Sequence, residues 1–286
     1  MAPRERSSHF LPDLAEPINR YFQQPIAARL VDLLMETRVT PNQVTYTSVL
    51  FGWLSAYAFS RGASASIALG GGLLEVALIL DCVDGQLARA KGLSSDWGRL
   101  LDGIAGYVAY IAVVLGMMVG LREYHGSLAA IGALTILRAI SYDYCKQNMT
   151  TMVQKGYDGS RKEILDTWRK IETRPSRILK TYFYYLQFQQ LIFRGRRFFP
   201  GKFSGEREDT ENLLTEDQRK NYYLKIKTLT AIWKWNGLDL PLFLLALFAI
   251  LGILEACLTP MAYFMGAQYL LTLTLHHALI RHENLS

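Results

Sequence analysis

Six long runs with almost no charge constrain this chain more than any other feature. They cover residues 44–59, 64–80, 108–121, 127–140, 238–258 and 261–280. The hydrocarbon core of a bilayer takes roughly 20 helical residues, and each run approaches that length once its polar ends are included. The expected fold class is all-α: a polytopic, multi-pass integral membrane protein with six transmembrane helices. At 286 residues and 50% hydrophobic content a large soluble domain would also be possible, but the clustering of the apolar residues argues against it. Ahead of the first run, residues 1–41 read as a cytoplasmic N-terminal amphipathic segment. Ile26, Leu30, Leu33 and Leu34 share one helical face while Arg29, Asp32 and Glu36 lie away from it, as suits a helix in the membrane interface. Thr40-Pro41-Asn42-Gln43 ends that segment and caps the first span, with Pro41 at an early helical position. Residues 1–15 are polar and hold no signal-peptide core.

Acids stand at the ends of two runs. If the second continues past Leu80 to about Ala90, Asp81 and Asp84 share one helix face. If the third begins near Trp97, it brings Asp102 to the same membrane level, near the surface. Carboxylates beside lipid are costly without a partner. A converging set of three fits a divalent cation, because hard cations take oxygen ligands and carry phosphates with them. Gly85 and Ala88 add no bulk around the acids, and Gly98 does the same one turn before Asp102. Arg89 is placed to meet a phosphate or pair with an acid, or to serve only as a cytoplasmic anchor.

The string Asp81-Cys82-Val83-Asp84-Gly85-Gln86-Leu87-Ala88-Arg89, with Gly98 and Asp102 after it, resembles the signature D-x2-D-G-x2-A-R-x8-G-x3-D-x3-D of the CDP-alcohol phosphotransferase (CDP-alcohol phosphatidyltransferase) family. Asp81, Asp84, Gly85, Ala88, Arg89, Gly98 and Asp102 match. The eighth position departs: Gly106 stands where the family has an aspartate. The Thr40-Pro41-Asn42 start of the first span is also common in the family. The resemblance implies a transferase that moves a substituted phosphate from a CDP-alcohol to an acceptor alcohol and releases CMP, in synthesis of phospholipids or related phosphodiester lipids. It implies Asp81, Asp84 and Asp102 as catalytic metal ligands for two divalent ions, Mg²⁺ or Mn²⁺, and Gly85, Ala88, Arg89 and Gly98 around the nucleotide. It also implies a homodimer. The residue missing at 106 is, in the family, a metal ligand and the proposed base. Water or substrate oxygen would then complete the metal shell, or Glu75 or Asp143 would substitute, or turnover has been lost. The last gives the alternative reading, a catalytically altered lipid-binding or scaffold protein. An intramembrane aspartate-rich prenyltransferase is a further alternative, but that type usually carries two acidic clusters and more spans.

Orientation follows from Lys and Arg. Residues 1–41 hold five, the turn after the second run holds Arg89 and Lys91, and residues 142–236 hold 19 against 11 acids, whereas the opposite side has Arg61 and Arg122. Both termini and the acidic motif are therefore expected in the cytoplasm. The net charge of +6 is mostly this asymmetry and points to membrane lipids as partners, not to nucleic acid. The chain divides into residues 1–41, residues 42–144 with spans one to four and the motif, an insert at 145–236, and residues 237–286 with the last two spans.

The insert contains an aromatic block, residues 181–193, followed by Arg194, Arg196, Arg197, Phe198 and Phe199. Two readings stand: a membrane interface with anionic headgroups, or a small helical subdomain with its own core. Residues 201–217 read as a polar, mobile loop. Trp233, Trp235, Tyr222 and Tyr223 read as interface anchors. Arg138 reads as a side chain snorkelling to the surface or as a phosphate contact, and Gly70, Gly71 and Gly72 as a packing face or as room for a ligand. Cys82, Cys145 and Cys257 lack metal-ligand spacing, and no zinc role is expected for His276 and His277.

Overall fold

The computed structural model describes residues 14–93, 96–195, 197–198 and 213–281, and the side chains of these apart from 96–105 and 280–281. Among the described residues the regular structure is helical, without a strand: α1 Gln24–Met35, α2 Pro41–Ser60, α3 Ser64–Ala90, α4 Asp96–Gly120, α5 His125–Lys155, α6 Gly159–Thr173, α7 Arg177–Arg194, α8 Glu216–Trp233, α9 Asp239–Ile250 and α10 Leu254–Arg281. The second run does continue through the acidic motif to Ala90, and the third does begin beside Trp97.

Local chemistry sets the ends. The Thr40 hydroxyl accepts from the Gln43 N–H, the Gln43 side chain accepts from the Thr40 N–H, and Pro41 opens α2 where no N–H is needed. Thr215 and Gln218 repeat the device on α8. The expected boundary between the fifth and sixth spans is wrong. Pro260 lies inside α10, and the chain turns at Gly252, whose φ of +69° suits a residue without Cβ. The fifth run is thus split: α9 has 12 residues, about 18 Å at 1.5 Å per residue.

Two helical stretches, Ser64–Ala90 and Arg122–Lys155, are long and apolar enough to cross a membrane; Gly106–Gly120 and Asp239–Ile250 are shorter apolar helices. Their surroundings are inverted relative to a water-soluble bundle. Tyr46, Leu50, Trp53 and Tyr57 form an exposed stripe on α2, and Val108, Ile111, Leu115 and Val119 form one on α4, while Thr45, Ser48 and Ser55 are buried. Contiguous apolar surface of this kind belongs in lipid, so the chain associates with membrane.

The chain forms two compact units. One comprises Ala15–Leu137 with Gly237–Leu270. Its core joins Phe59, Ile67, Leu74, Val113, Met117 and residues of α9 and α10, including Leu245 and Leu258. Its helices approach closely. A Cβ on Gly116 would stand 2.2 Å from the Ala56 carbonyl oxygen, and one on Gly120 would stand 2.0 Å from that of Phe59, so α4 lies directly on the α2 backbone. Gly70 and Gly71 face the Phe59 ring and α9, which is packing, while a Cβ on Gly72 would meet nothing within 4 Å.

The other unit comprises Arg138–Asn236 with the chain ends. It has a separate small core of Ile164, Phe183 and Leu186 flanked by Trp168, Ile171, Tyr185 and Phe198. The insert is therefore a helical subdomain with its own core, and α5 enters it without a break at residue 144. Of the expected loop, residues 201–212 lie outside the described residues, Leu213 to Thr215 are non-helical and Glu216 begins α8.

Candidate functional site

The acidic motif is built on α3 and buttressed by α2. Hydroxyls on α2 hold the two helices in register: Ser55 Oγ donates to the Gly70 carbonyl at 2.7 Å and Ser48 Oγ to that of Ala77 at 3.0 Å. One turn on, Thr45 Oγ1 donates to Asp84 Oδ2 at 2.5 Å. Thr45 and Asp84 are both buried, whereas Asp81, one turn earlier on α3, is half-buried. A carboxylate taken out of water needs donors or a cation, and Thr45 supplies one donor from a second helix. Sequence reasoning missed Thr45. Its available signal was a hydroxyl one turn inside a helix that opens on Thr-Pro-Asn.

At Gly85 the space beside the carboxylates is bounded by Arg89. Gly85 is half-buried, and a Cβ there would lie 3.5 Å from a guanidinium nitrogen of Arg89, so that side chain folds back along α3 toward Gly85. Ala88 is half-buried and Arg89 exposed. Gly98 and Asp102 belong to α4, but their surroundings lie outside the described side chains. Gly106 follows Asp102 by one turn, and a Cβ there would meet nothing within 4 Å. Among the described residues no three His, Cys, Asp or Glu side chains group as a metal site, and that set does not include Asp102. What is present suits a hard cation: two carboxylates one turn apart on a helix, one of them buried, and no thiolate or imidazole among the matched positions.

The N-terminal segment braces the other flank of α3. Ala27 and Val31 pack with Val83, Leu87 and Val44, joined by the half-buried Leu30 and Leu34. Leu33 is exposed, so the packed face of α1 is rotated from the expected one. Polar ties follow the same line. Gln23 Nε2 donates to Glu75 Oε1 at 3.1 Å, Asn19 Nδ2 to Cys82 Sγ at 3.3 Å, and Gln86 Nε2 to the Gln24 carbonyl at 3.2 Å. Lys91 Nζ donates to the carbonyls of Thr37 and Val39, both at 2.9 Å. Glu75 is thus engaged by Gln23 nearly two turns before Asp81, and Asp143 is exposed on α5 in the other unit.

Two other expectations change. Arg138 does not snorkel: it is wholly buried and donates to the Trp235 carbonyl at 2.6 Å. Trp233 is no interface anchor. It is wholly buried between Phe193 and His276, and its indole N–H donates to His276 Nδ1 at 3.2 Å. Trp235 remains exposed.

The model of the CDP-alcohol phosphatidyltransferase family matches residues 38–191, more than half of the chain. The chain belongs to that family. The match runs well beyond the motif and reaches into α7, farther than the resemblance around residues 40–106 implied. A bifunctional IPC transferase and DIPP synthase of Thermococcus kodakarensis is 38% identical over 87 residues, which are 30% of this chain and 19% of that protein. Its namesake from Rubrobacter xylanophilus is 30% identical over 126 residues, 44% of this chain and 28% of that one. An archaetidylinositol phosphate synthase of Pyrococcus horikoshii is 30% identical over 129 residues, 44% of this chain and 64% of its own length. The chain thus spans less than two thirds of each of these relatives.

Proposed function

We propose that this protein is a membrane transferase that moves a substituted phosphate from a CDP-alcohol to an acceptor alcohol. The acceptor oxygen bonds to the β-phosphorus, the bond from that phosphorus to the CMP oxygen breaks, and CMP leaves. The proton of the acceptor hydroxyl passes to a motif carboxylate or to water, since residue 106 has no side chain to take it. The observation that carries this reading is the family motif standing on α3 with Asp84 buried and held by Thr45. Asp81, Asp84 and Asp102 would hold two Mg²⁺ or Mn²⁺ ions. When bound, such ions neutralise charge on a diphosphate and on its leaving group. Gly85, Ala88 and Gly98 leave room for the nucleotide, and Arg89 meets its phosphates. Because one relative is named for archaetidylinositol phosphate, an inositol phosphate is the first acceptor to test.

The same reading carries six membrane crossings, both termini and the motif in the cytoplasm, and a homodimer. In it α9 is too short to cross alone, and the α8–α9 junction at 234–238 has to contribute to the fifth crossing. The test is CMP release by purified protein across CDP-alcohols and acceptors, with and without Mg²⁺ or Mn²⁺. Metal-dependent release with at least one pair is the expected result. Binding of a CDP-alcohol without any release would instead favour the altered, lipid-binding member, for which Gly106 and the open space beside it are the supporting observation.

A further inference from the structure

The helix α7 buries three apolar side chains, Phe183, Leu186 and Phe193, together with three glutamines, and leaves a second apolar face outside. Its sequence from Arg177 to Arg194 has no Asp or Glu and three cations. Its glutamines point inward: Gln187, Gln189 and Gln190 are 2%, 4% and 3% exposed. They are satisfied there. The Gln187 amide pairs with both the N–H and the carbonyl of Phe198, Gln189 Nε2 donates to the Ile140 carbonyl at 3.1 Å, and Gln190 Nε2 donates to Ser160 Oγ at 3.0 Å. The opposite face carries Tyr184 at 65% exposed, Phe188 at 45% and Leu191 at 39%, spaced four and three residues apart on one stripe. Arg177 and Lys180 stand exposed at the N-terminal end of that stripe.

We infer that α7 lies flat on the membrane, with the stripe Tyr184–Phe188–Leu191 in the acyl boundary and Arg177 and Lys180 on anionic phosphate headgroups. Burying glutamines while exposing a phenylalanine and a leucine costs free energy in water. The order is reversed at a bilayer surface, where aromatic rings settle at headgroup level. Charge selects lipid over a second copy of the chain. Two α7 faces meeting across a two-fold axis would bring like cations together with no acid on either helix, whereas an anionic leaflet complements them. Arg194 is committed elsewhere, in an ion pair with Asp158 at the start of α6. The inference rests on the membrane reading above, and its test separates the two.

The test uses the whole chain in lipid nanodiscs, with Cys82, Cys145 and Cys257 replaced by Ala and one nitroxide label at a time. Labels go on Tyr184→Cys, Phe188→Cys, Leu69→Cys on α3 and Thr173→Cys at the end of α6. Collisions with oxygen report lipid, and collisions with an aqueous nickel chelate report water. In discs of phosphatidylcholine with phosphatidylglycerol, positions 184 and 188 should behave like 69 and unlike 173. Arg177→Gln and Lys180→Gln should each reduce the lipid preference at 188 roughly five-fold, the factor that corresponds to one basic residue at an anionic surface. If 184 and 188 are as wet as 173 while 69 is in lipid, this inference fails and the membrane reading survives. If 69 is wet as well, the membrane reading fails. Dipolar broadening between labels at 184 or 188 would assign the face to a second copy and overturn the inference.

Discussion

At the scale of single residues, two positions decide what the site can do. Thr45 is one. Its hydroxyl fixes Asp84 Oδ2 from a neighbouring helix, both groups are buried, and the carboxylate loses that donor if the hydroxyl goes. Removing a group that orients a metal-binding carboxylate typically costs about 10- to 100-fold in metal affinity or activity. Thr45→Val should therefore weaken Mn²⁺ binding in the presence of a CDP-alcohol by a factor in that range. Thr45→Ser should retain most of the affinity; if Val and Ser behave alike, the hydroxyl is not orienting a ligand. Gly106 is the other. A Cβ there meets nothing within 4 Å, so an aspartate can be introduced without a clash at its first atom. Lying one turn past Asp102, Gly106→Asp should raise Mg²⁺ affinity by adding an anionic ligand. An unchanged affinity in a folded variant would mean that residue 106 does not face the metals. The burial of Asp84 was legible in the sequence, because a carboxylate at the end of an apolar run needs a donor or a cation to offset the loss of water around it. Thr45 was not, because a hydroxyl in an apolar run can satisfy itself on its own helix, and the Pro41 carbonyl, 3.2 Å from Thr45 Oγ1, is such an alternative acceptor for its single proton. That the closer acceptor is Asp84 depends on how α2 is set against α3.

Among the elements, the contact between α2 and α4 determines whether a site can form, because α2 holds Thr45 and α4 carries Asp102 and Gly106. That contact depends on small residues. A methyl group on Gly116 would overlap the Ala56 carbonyl oxygen at 2.2 Å, and backbone cannot rotate out of the way as a side chain does. Gly116→Ala should cost about 1–3 kcal/mol, the usual range for overpacking, and should lower activity more than its stability loss alone would. Gly72→Ala is the matched opposite. It adds a methyl where nothing lies within 4 Å, in the middle of a 27-residue helix, and should stabilise by about 0.5–1 kcal/mol. Thermal unfolding in one detergent checks both; equal effects of the two substitutions would remove the close-approach argument. The extent of the apolar runs and the Thr40 cap located the ends of α2 and the long reach of α3 through the motif, while the helices of residues 141–233 were not delimited by them. The runs failed at residues 238–280. The expected runs met at 259–260, yet helix continues through Pro260 and the glycine eight residues earlier takes the left-handed turn. Both residues are helix breakers, and only the packing of α9 and α10 decides which of them acts. The rotated face of α1 has a similar origin: Leu33 is as apolar as Leu30, and what lies against each is a tertiary fact.

For the molecule as a whole, orientation is what the proposed chemistry most depends on, since the motif must face the compartment that holds the nucleotide. The argument is one of charge. The 19 Lys and Arg of residues 142–236 and the five of residues 1–41 are on one side of the proposed crossings, and Arg61 and Arg122 are on the other. The structure keeps that segregation compatible with folding. Arg138, a cation inside an apolar run, is wholly buried against the Trp235 carbonyl within its own unit, while the exposed cations gather on helices that follow α5. Two exposed positions report the outcome directly. Thr173, at the end of α6, should be on the cytoplasmic side, and Glu123, in the short turn between α4 and α5, on the other. In a background free of native cysteines, Thr173→Cys should react with an impermeant maleimide only after cells are opened, and Glu123→Cys should react in intact cells. The reverse pattern would put Asp81 and Asp84 on the face away from a cytoplasmic CDP-alcohol pool and overturn the assigned orientation. Labelling of both positions in intact cells would mean an odd number of passes failed to separate them, and the crossing by α5 would have to be abandoned.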